Sequence, residues 1–177
     1  MRAPTRGRMN RLAALIATAA VPLALVACQT EPTTPTFYAD LGQPGAEVDT
    51  AAAVSLINDY RAKEGRPPLV LDPKLNEIAR EQASALAAAD SVRLSLERER
   101  TIERRLERAG YPNAKAVENT SAGYRTLAEA FSGWRDSKNH NANMLDAEVN
   151  RFGIATAYAP SSKYKVFWTA VFVAGSP

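Results

Sequence analysis

The sequence predicts an α+β domain in which helices pack on an antiparallel sheet. Helical spacing of apolar residues starts at Thr50 and recurs to about Ser137. Two runs of β-branched and aromatic residues follow, over 152–158 and 165–173. Helices that precede strands, rather than alternating with them, favour this class. A chain of 177 residues is long enough for one such domain with its own core.

Two helices are predicted in the first half of the domain. In the first helix Val54 and Ile57 share a face, and the turn residues Gly65-Arg66-Pro67-Pro68 end it. Leu69 to Leu71 form a short extended piece. Asp72 and Pro73 then suit the N-cap and first position of a second helix. Its apolar stripe contains Leu75, Ile78, Ala79, Gln82, Ala83 and Leu86.

The middle of the domain contains a dense run of Arg and Glu from Arg93 to Arg108. Such a run is typical of a solvated helix face, with Gly110 as a C-cap. A short strand over 117–122 and a helix that stops near Ser137 come next. The last two strands read as a β-hairpin, because Pro160-Ser161-Ser162 supplies the turn between them.

The N-terminus has the pattern of a secretory signal peptide over residues 1–27. Four arginines precede an apolar stretch from Leu12 to Ala27, which Pro22 interrupts. The stretch is rather short for a permanent membrane span. Residues 28–49 are rich in Thr, Pro and Gly, and this composition predicts a flexible tether. The predicted domain therefore covers residues 50–174.

The run Leu25-Val26-Ala27-Cys28 resembles the lipobox of bacterial lipoproteins. The resemblance implies that Cys28 becomes the first residue of the mature protein and that acyl chains such as palmitate anchor it in a membrane. Gln29 stands where a Gram-negative retention signal would place Asp, which favours the outer membrane if the organism has one. The alternative is a free thiol in the leader. Cys28 is the only cysteine, so an intramolecular disulfide is excluded.

The charge balance argues against nucleic acid as a partner. The chain has 22 basic and 19 acidic residues, but four of the basic residues lie in the leader. The remainder therefore has one acidic residue in excess, whereas a nucleic-acid-binding domain needs a basic patch or stripe.

Three motifs occur in a characteristic order along the domain. They are the helical run 56–61, the strand Val117-Glu118-Asn119, and the run 134–145, which is followed by Phe152-Gly153-Ile154 and 167–172. Together they resemble the bacterial branch of the CAP superfamily of cysteine-rich secretory, antigen-five and pathogenesis-related proteins. The resemblance implies an α-β-α sandwich with the antiparallel sheet between helical layers. It also implies a central cleft lined by Glu118, Asn119, Ser137, His140 and Asn143.

The predicted cleft lacks a histidine that the family usually has. His140 is the only histidine of the chain, and Leu96 sits near the position where the resemblance places another. Glu118 and His140 alone give a transition metal too few ligands. The sequence therefore predicts no metal and no cofactor.

Three roles are open for the residues of the cleft. Ser137, His140 and the neighbouring asparagines can brace a loop, since these residues favour turns and local backbone bonds. They can contact a ligand. They can also catalyse, but a serine and a histidine without an identifiable orienting group or oxyanion hole are weak evidence for that. Trp134 and Trp168 are expected in the core, and Asn58 and Arg61 are expected to tie the first helix to neighbouring loops.

Two functions follow from these patterns. The first is a non-enzymatic binding or structural module, anchored at the bacterial cell envelope through Cys28, with a lipid, cell-wall or protein ligand. The alternative is an envelope hydrolase that uses Glu118, Ser137 and His140. A glycosidase usually pairs two carboxylates, and no second cleft carboxylate is evident from the sequence.

Overall fold

The structure, a computed structural model, describes residues 35–111 and 113–175. Five helices and four strands lie within these described residues. In chain order they are α1 (Thr50–Lys63), β1 (Val70–Leu71), α2 (Pro73–Ala89), α3 (Ile102–Arg108), β2 (Ala116–Ala122), α4 (Leu127–Asp136), α5 (Lys138–Met144), β3 (Arg151–Tyr158) and β4 (Val166–Val173). Short 3-10 turns occupy Thr36–Tyr38, Val92–Leu96 and Arg98–Arg100.

The four strands form one sheet in the order β1-β3-β4-β2. The β3–β4 hairpin forms as predicted, and β2 pairs antiparallel with the outer side of β4. β1 instead pairs parallel with β3, through Val70 opposite Arg151. The sheet is therefore mixed rather than wholly antiparallel. The chain enters β1 between two helices, so no hairpin turn imposes the antiparallel direction on this strand.

Helices cover both faces of the sheet. Along β4, Trp168, Ala170 and Phe172 pack in a core with residues of α1, α4 and α5, whereas Val171 and Val173 pack in a second core with residues of α2 and α3. This alternation follows from the two-residue period of a strand. The α-β-α sandwich expected from the sequence is confirmed.

The α2 helix lies very close to β3. The Asp72 carboxylate caps α2 by accepting from the Lys74 backbone N–H over 2.9 Å, as its position before Pro73 predicts. A Cβ atom at Gly153 would lie 2.3 Å from the carbonyl carbon of Leu75. Only glycine permits this approach, because any side chain at 153 would collide with the helix backbone.

The two tryptophans lie in the core, as predicted. Their exposed fractions are 1% for Trp134 and 0% for Trp168. The rings meet edge to face with centroids 6.1 Å apart. Each indole N–H has an acceptor: the Ser121 hydroxyl at 3.2 Å for Trp134 and the Tyr124 carbonyl at 2.8 Å for Trp168.

The charged run differs from its prediction in two ways. Residues 92–100 form two 3-10 turns, and the α-helix occupies only Ile102–Arg108. Most of the charged side chains are exposed, but Arg105 is buried with an exposed fraction of 2%. Arg105 lies three residues after Ile102, and this spacing places it on the buried face of the helix.

The structure describes residues 35–49 of the predicted tether, and this part packs against the domain rather than being flexible. Leu41 and Val48 are buried in the core with exposed fractions of 5% and 8%. The Leu41 N–H donates to the Arg125 carbonyl over 2.7 Å, and Arg125 pairs with Asp40 at 2.6 Å. The composition of this segment gave no sign of its packing, because two apolar residues are enough to attach it to the core. Phe37 and Tyr38, in contrast, remain exposed at 37% and 56%.

The predicted signal peptide, Cys28 and the first part of the tether lie outside the described residues. Among the residues that the structure does describe, no helix is long and apolar enough to cross a membrane.

Candidate functional site

Glu118 lies on β2 and forms a buried ion pair with Arg105 of α3. The Arg105 side chain is fully enclosed, and the Glu118 side chain retains an exposed fraction of 9%. The Arg105 Nη2 donates to Oε1 of Glu118. Its Nε donates to the Arg100 carbonyl at 3.1 Å, and its Nη1 reaches the Ile78 carbonyl of α2 at 3.5 Å. The guanidinium therefore joins α2, α3 and β2 around one carboxylate.

Two opposing effects act on the ionisation of Glu118. Burial raises the pKa of the Glu118 carboxyl, and this effect exceeds the lowering caused by the charge and hydrogen bond of Arg105. The carboxylate is thus enclosed within the protein beside an internal counter-ion.

Asn119 lies on the opposite face of β2 and connects this strand to α5. It is fully buried, and its amide nitrogen donates to the His140 carbonyl over 3.1 Å. The Asn143 amide nitrogen donates to the Asn119 side-chain oxygen at 2.9 Å and to the Glu118 backbone carbonyl at 3.0 Å. These three bonds pin α5 against the edge strand of the sheet.

The asparagine-rich run forms a helix rather than the turn that its composition favours. The Tyr60 hydroxyl of α1 donates to the Asn141 side-chain oxygen over 3.0 Å, while the Asn143 amide bonds to β2. With their side chains occupied by other elements, these asparagines no longer compete for the local backbone. Residues Lys138–Met144 therefore continue as α5.

His140 and Ser137 lie at the start of α5, and both are half-buried. Burial lowers the pKa of the His140 imidazole. Ser137 joins α4 to α5, and its side chain makes no capping bond there. Among the described residues, no hydrogen bond links the side chains of Ser137, His140 and Glu118.

The structure thus divides the predicted cleft residues into two groups. Asn119, His140 and Asn143 meet through backbone and amide hydrogen bonds at the β2–α5 contact. Glu118 follows the alternation of the strand, and its carboxylate lies with Arg105 on the α2–α3 side. The described residues contain no cluster of three or more His, Cys, Asp or Glu side chains that could hold a metal ion.

Sequence reasoning missed Arg105 as a member of the site. Its charge suggested a solvated position, yet its spacing from Ile102 and Leu106 matches the apolar face of the helix. That spacing was the available signal.

Arg61 and Asn58 take the bracing roles expected of them. The Arg61 guanidinium is buried and donates to four carbonyls, those of Pro67, Met144, Asp146 and Val149. Asn58 exchanges two hydrogen bonds with the backbone of Leu69, at 2.8 and 2.9 Å. Together they tie α1 to the segments before β1 and before β3.

This fold and this order of motifs have a counterpart among known families. Residues 54–172 match the model of the family described as CAP: Cysteine-rich secretory protein family. The chain belongs to this family. No curated protein matches the sequence significantly.

Solved structures of bacterial proteins share the fold at low sequence identity. An outer surface protein from Borrelia burgdorferi has a TM-score of 0.63 and 18% identity, over 75% of this chain and 99% of that protein. An extracellular SCP-domain protein from Bacillus anthracis has a TM-score of 0.61 and 21% identity, over 71% of this chain and 40% of its own. A cysteine-rich secretory protein from Staphylococcus aureus has a TM-score of 0.58 and 14% identity, over 71% and 38%. This CAP chain therefore matches less than half of the latter two proteins.

Proposed function

We propose that this CAP protein is a lipid-anchored module of the bacterial cell envelope that binds a ligand or a partner and does not catalyse a reaction. The ligand is a lipid, a cell-wall component or another protein. The main observation that supports the proposal is the Arg105–Glu118 ion pair. Glu118 is the one carboxylate of the predicted cleft, and its charge is compensated by a buried arginine of the same protein.

The geometry disfavours hydrolysis. A general acid or base must reach the proton that it transfers, and Oε1 of Glu118 is already engaged by Arg105. In the described part of the chain, Ser137 has no hydrogen bond to His140 that could activate it as a nucleophile. The amides of Asn119 and Asn143, in turn, are occupied by structural bonds.

Anchoring at the envelope rests on the leader and on Cys28, with support from the family. The leader ends in Leu-Val-Ala-Cys, and the structural neighbours include an extracellular protein and an outer surface protein. Two or three acyl chains, at about 0.8 kcal/mol for each buried methylene, hold a protein stably in a membrane. For a Gram-negative cell we propose the outer membrane.

Ligand binding is tested by lipid extraction. The full-length protein, purified from its own envelope, is extracted with organic solvent, and the extract is compared by mass spectrometry with that of the Ser137→Ala variant, because the Ser137 side chain is half-buried and makes no capping bond. We expect a lipid or cell-wall fragment at a fixed ratio to the wild-type protein and less of it in the variant. Bond cleavage by the wild-type protein that the His140→Ala variant loses would contradict a non-enzymatic role.

Anchoring is tested separately by fractionation. The wild-type protein should sediment with membranes and carry added acyl mass at Cys28, and Cys28→Ser should become soluble. Soluble behaviour of the wild type would exclude the anchor without affecting the binding proposal.

A further inference from the structure

Two fully buried polar side chains on the α2 side of the sheet have no partner within the described protein. Both amide atoms of Gln82 and the hydroxyl of Thr169 are enclosed and make no hydrogen bond to described residues. Each of these residues has an exposed fraction of 0%. A buried amide or hydroxyl without a partner loses the hydrogen bonds that it makes to water in the unfolded chain, so native proteins rarely leave one unsatisfied.

The two side chains face the same interlayer space. Gln82 belongs to the buried stripe of α2. Thr169 alternates along β4 with Val171 and Val173, which pack against α2. Its cross-strand partner on β2 is Thr120, two residues after Glu118 and on the same face.

The Arg105–Glu118 pair borders this space. In α2 the Ile78 carbonyl accepts the Gln82 backbone N–H, as the helix geometry requires, and the same carbonyl lies 3.5 Å from Nη1 of Arg105. The Arg105–Glu118 pair, the Gln82 side chain and the Thr169 side chain therefore all belong to the layer between α2, β2 and β4.

We propose that this space is an internal water site, in which ordered water bridges the Gln82 amide and the Thr169 hydroxyl beside Glu118. Water fits the chemistry of the site. The amide offers donors and an acceptor, the hydroxyl offers both, and a buried water typically makes about three such bonds. The site is independent of the ligand proposed above and lies on the opposite face of β2 from Asn119.

A double-mutant cycle on the full-length protein tests the shared water. Gln82→Met and Thr169→Val each keep the shape and remove the polar atoms. If water joins the two groups, each substitution should lower the folded-to-unfolded ratio about fivefold. The double variant should then lose about the same fivefold rather than roughly 25-fold, because the groups share one partner. Urea unfolding followed by tryptophan fluorescence measures the ratios.

Thr156→Val is the matched control. The Thr156 hydroxyl is also buried and lacks a partner in the described chain, but this residue lies on the other face of β3. Its substitution should have the same effect with and without Gln82→Met. If the single variants Gln82→Met and Thr169→Val instead stabilise the protein additively, the space is dry and the proposal is wrong.

A high-resolution crystal structure of the wild-type protein gives an independent measurement. It should show water within hydrogen-bond distance of the Gln82 amide and the Thr169 hydroxyl. A direct bond between these two side chains, or a closely packed contact without water, would overturn the proposal.

Discussion

Arg104 and Arg105 are neighbours in the same short helix, yet their surroundings differ completely. The Arg104 side chain is 46% exposed and pairs with Glu107 at the surface, whereas the Arg105 side chain is enclosed against Glu118. A surface pair of this kind contributes little, because water screens it. Removing one partner of a buried pair leaves an uncompensated charge inside the protein.

Arg105→Gln should therefore destabilise the protein by about 3–5 kcal/mol, since Glu118 loses its counter-ion. Arg104→Gln, the matched surface control, should change stability by less than about 0.5 kcal/mol. Urea unfolding monitored through Trp134 and Trp168 compares them. Equal effects of the two substitutions would show that the Arg105–Glu118 pair does not hold the domain together.

His140 should titrate below the value of about 6.5 that a free histidine has, because burial disfavours its charged form. As the only histidine, it gives a single imidazole signal by NMR. Its contribution to stability is complete above pH 6.5 and is lost as the pH falls toward its folded pKa. His140→Gln should remove this loss. An imidazole pKa at or above 6.5 would contradict the burial.

For single residues, the sequence predicted the structural role of a side chain better than it predicted which groups that side chain contacts. Asn58, Arg61, Trp134 and Trp168 have the roles expected of them. The ionic partner of Glu118 could not be predicted, because Arg105 lies 13 residues away and only the packing of α3 on β2 brings them together. A contact of that kind depends on the tertiary structure and not on a local pattern.

Among the elements, α5 depends on contacts with its neighbours. It has seven residues, too few to be stable alone, and Asn119 and Asn143 attach it to β2. The regular elements with strong patterns, α1, α2 and the β3–β4 hairpin, could be predicted from apolar spacing and capping residues. α5 and the 3-10 turns over 92–100 could not, because side-chain contacts across the fold override their local preferences.

Asn119→Ala should loosen α5. The substitution removes the bond to the His140 carbonyl and an acceptor of the Asn143 amide, and we expect a loss of about 1–3 kcal/mol. Asn139→Ala, at an exposed position of the same helix, should change stability by less than about 0.5 kcal/mol. Hydrogen exchange should become faster at the amides of α5 in Asn119→Ala only. Unchanged hydrogen exchange in Asn119→Ala would show that other contacts hold α5 in place.

For the whole molecule, the core extends into the segment before α1. Leu41→Ala should cost about 2–4 kcal/mol in unfolding free energy, because it removes a buried side chain from the main core. Phe37→Ala, in the exposed turn nearby, should have little effect. Thermal unfolding of the full-length variants measures both. If Leu41→Ala were as stable as the wild type, the docked segment would be a tether after all.

The four hydrogen bonds of the Arg61 guanidinium affect how the chain folds during synthesis. Two of the carbonyls that it holds, those of Met144 and Asp146, follow it by 83 and 85 residues. The two middle strands of the sheet, β3 and β4, are also the last of the four described strands to leave the ribosome. The α1 helix therefore cannot complete these contacts until residues up to Asp146 have been synthesised. Such distant contacts slow folding, and the native core of the domain cannot form before β3 and β4 have been synthesised.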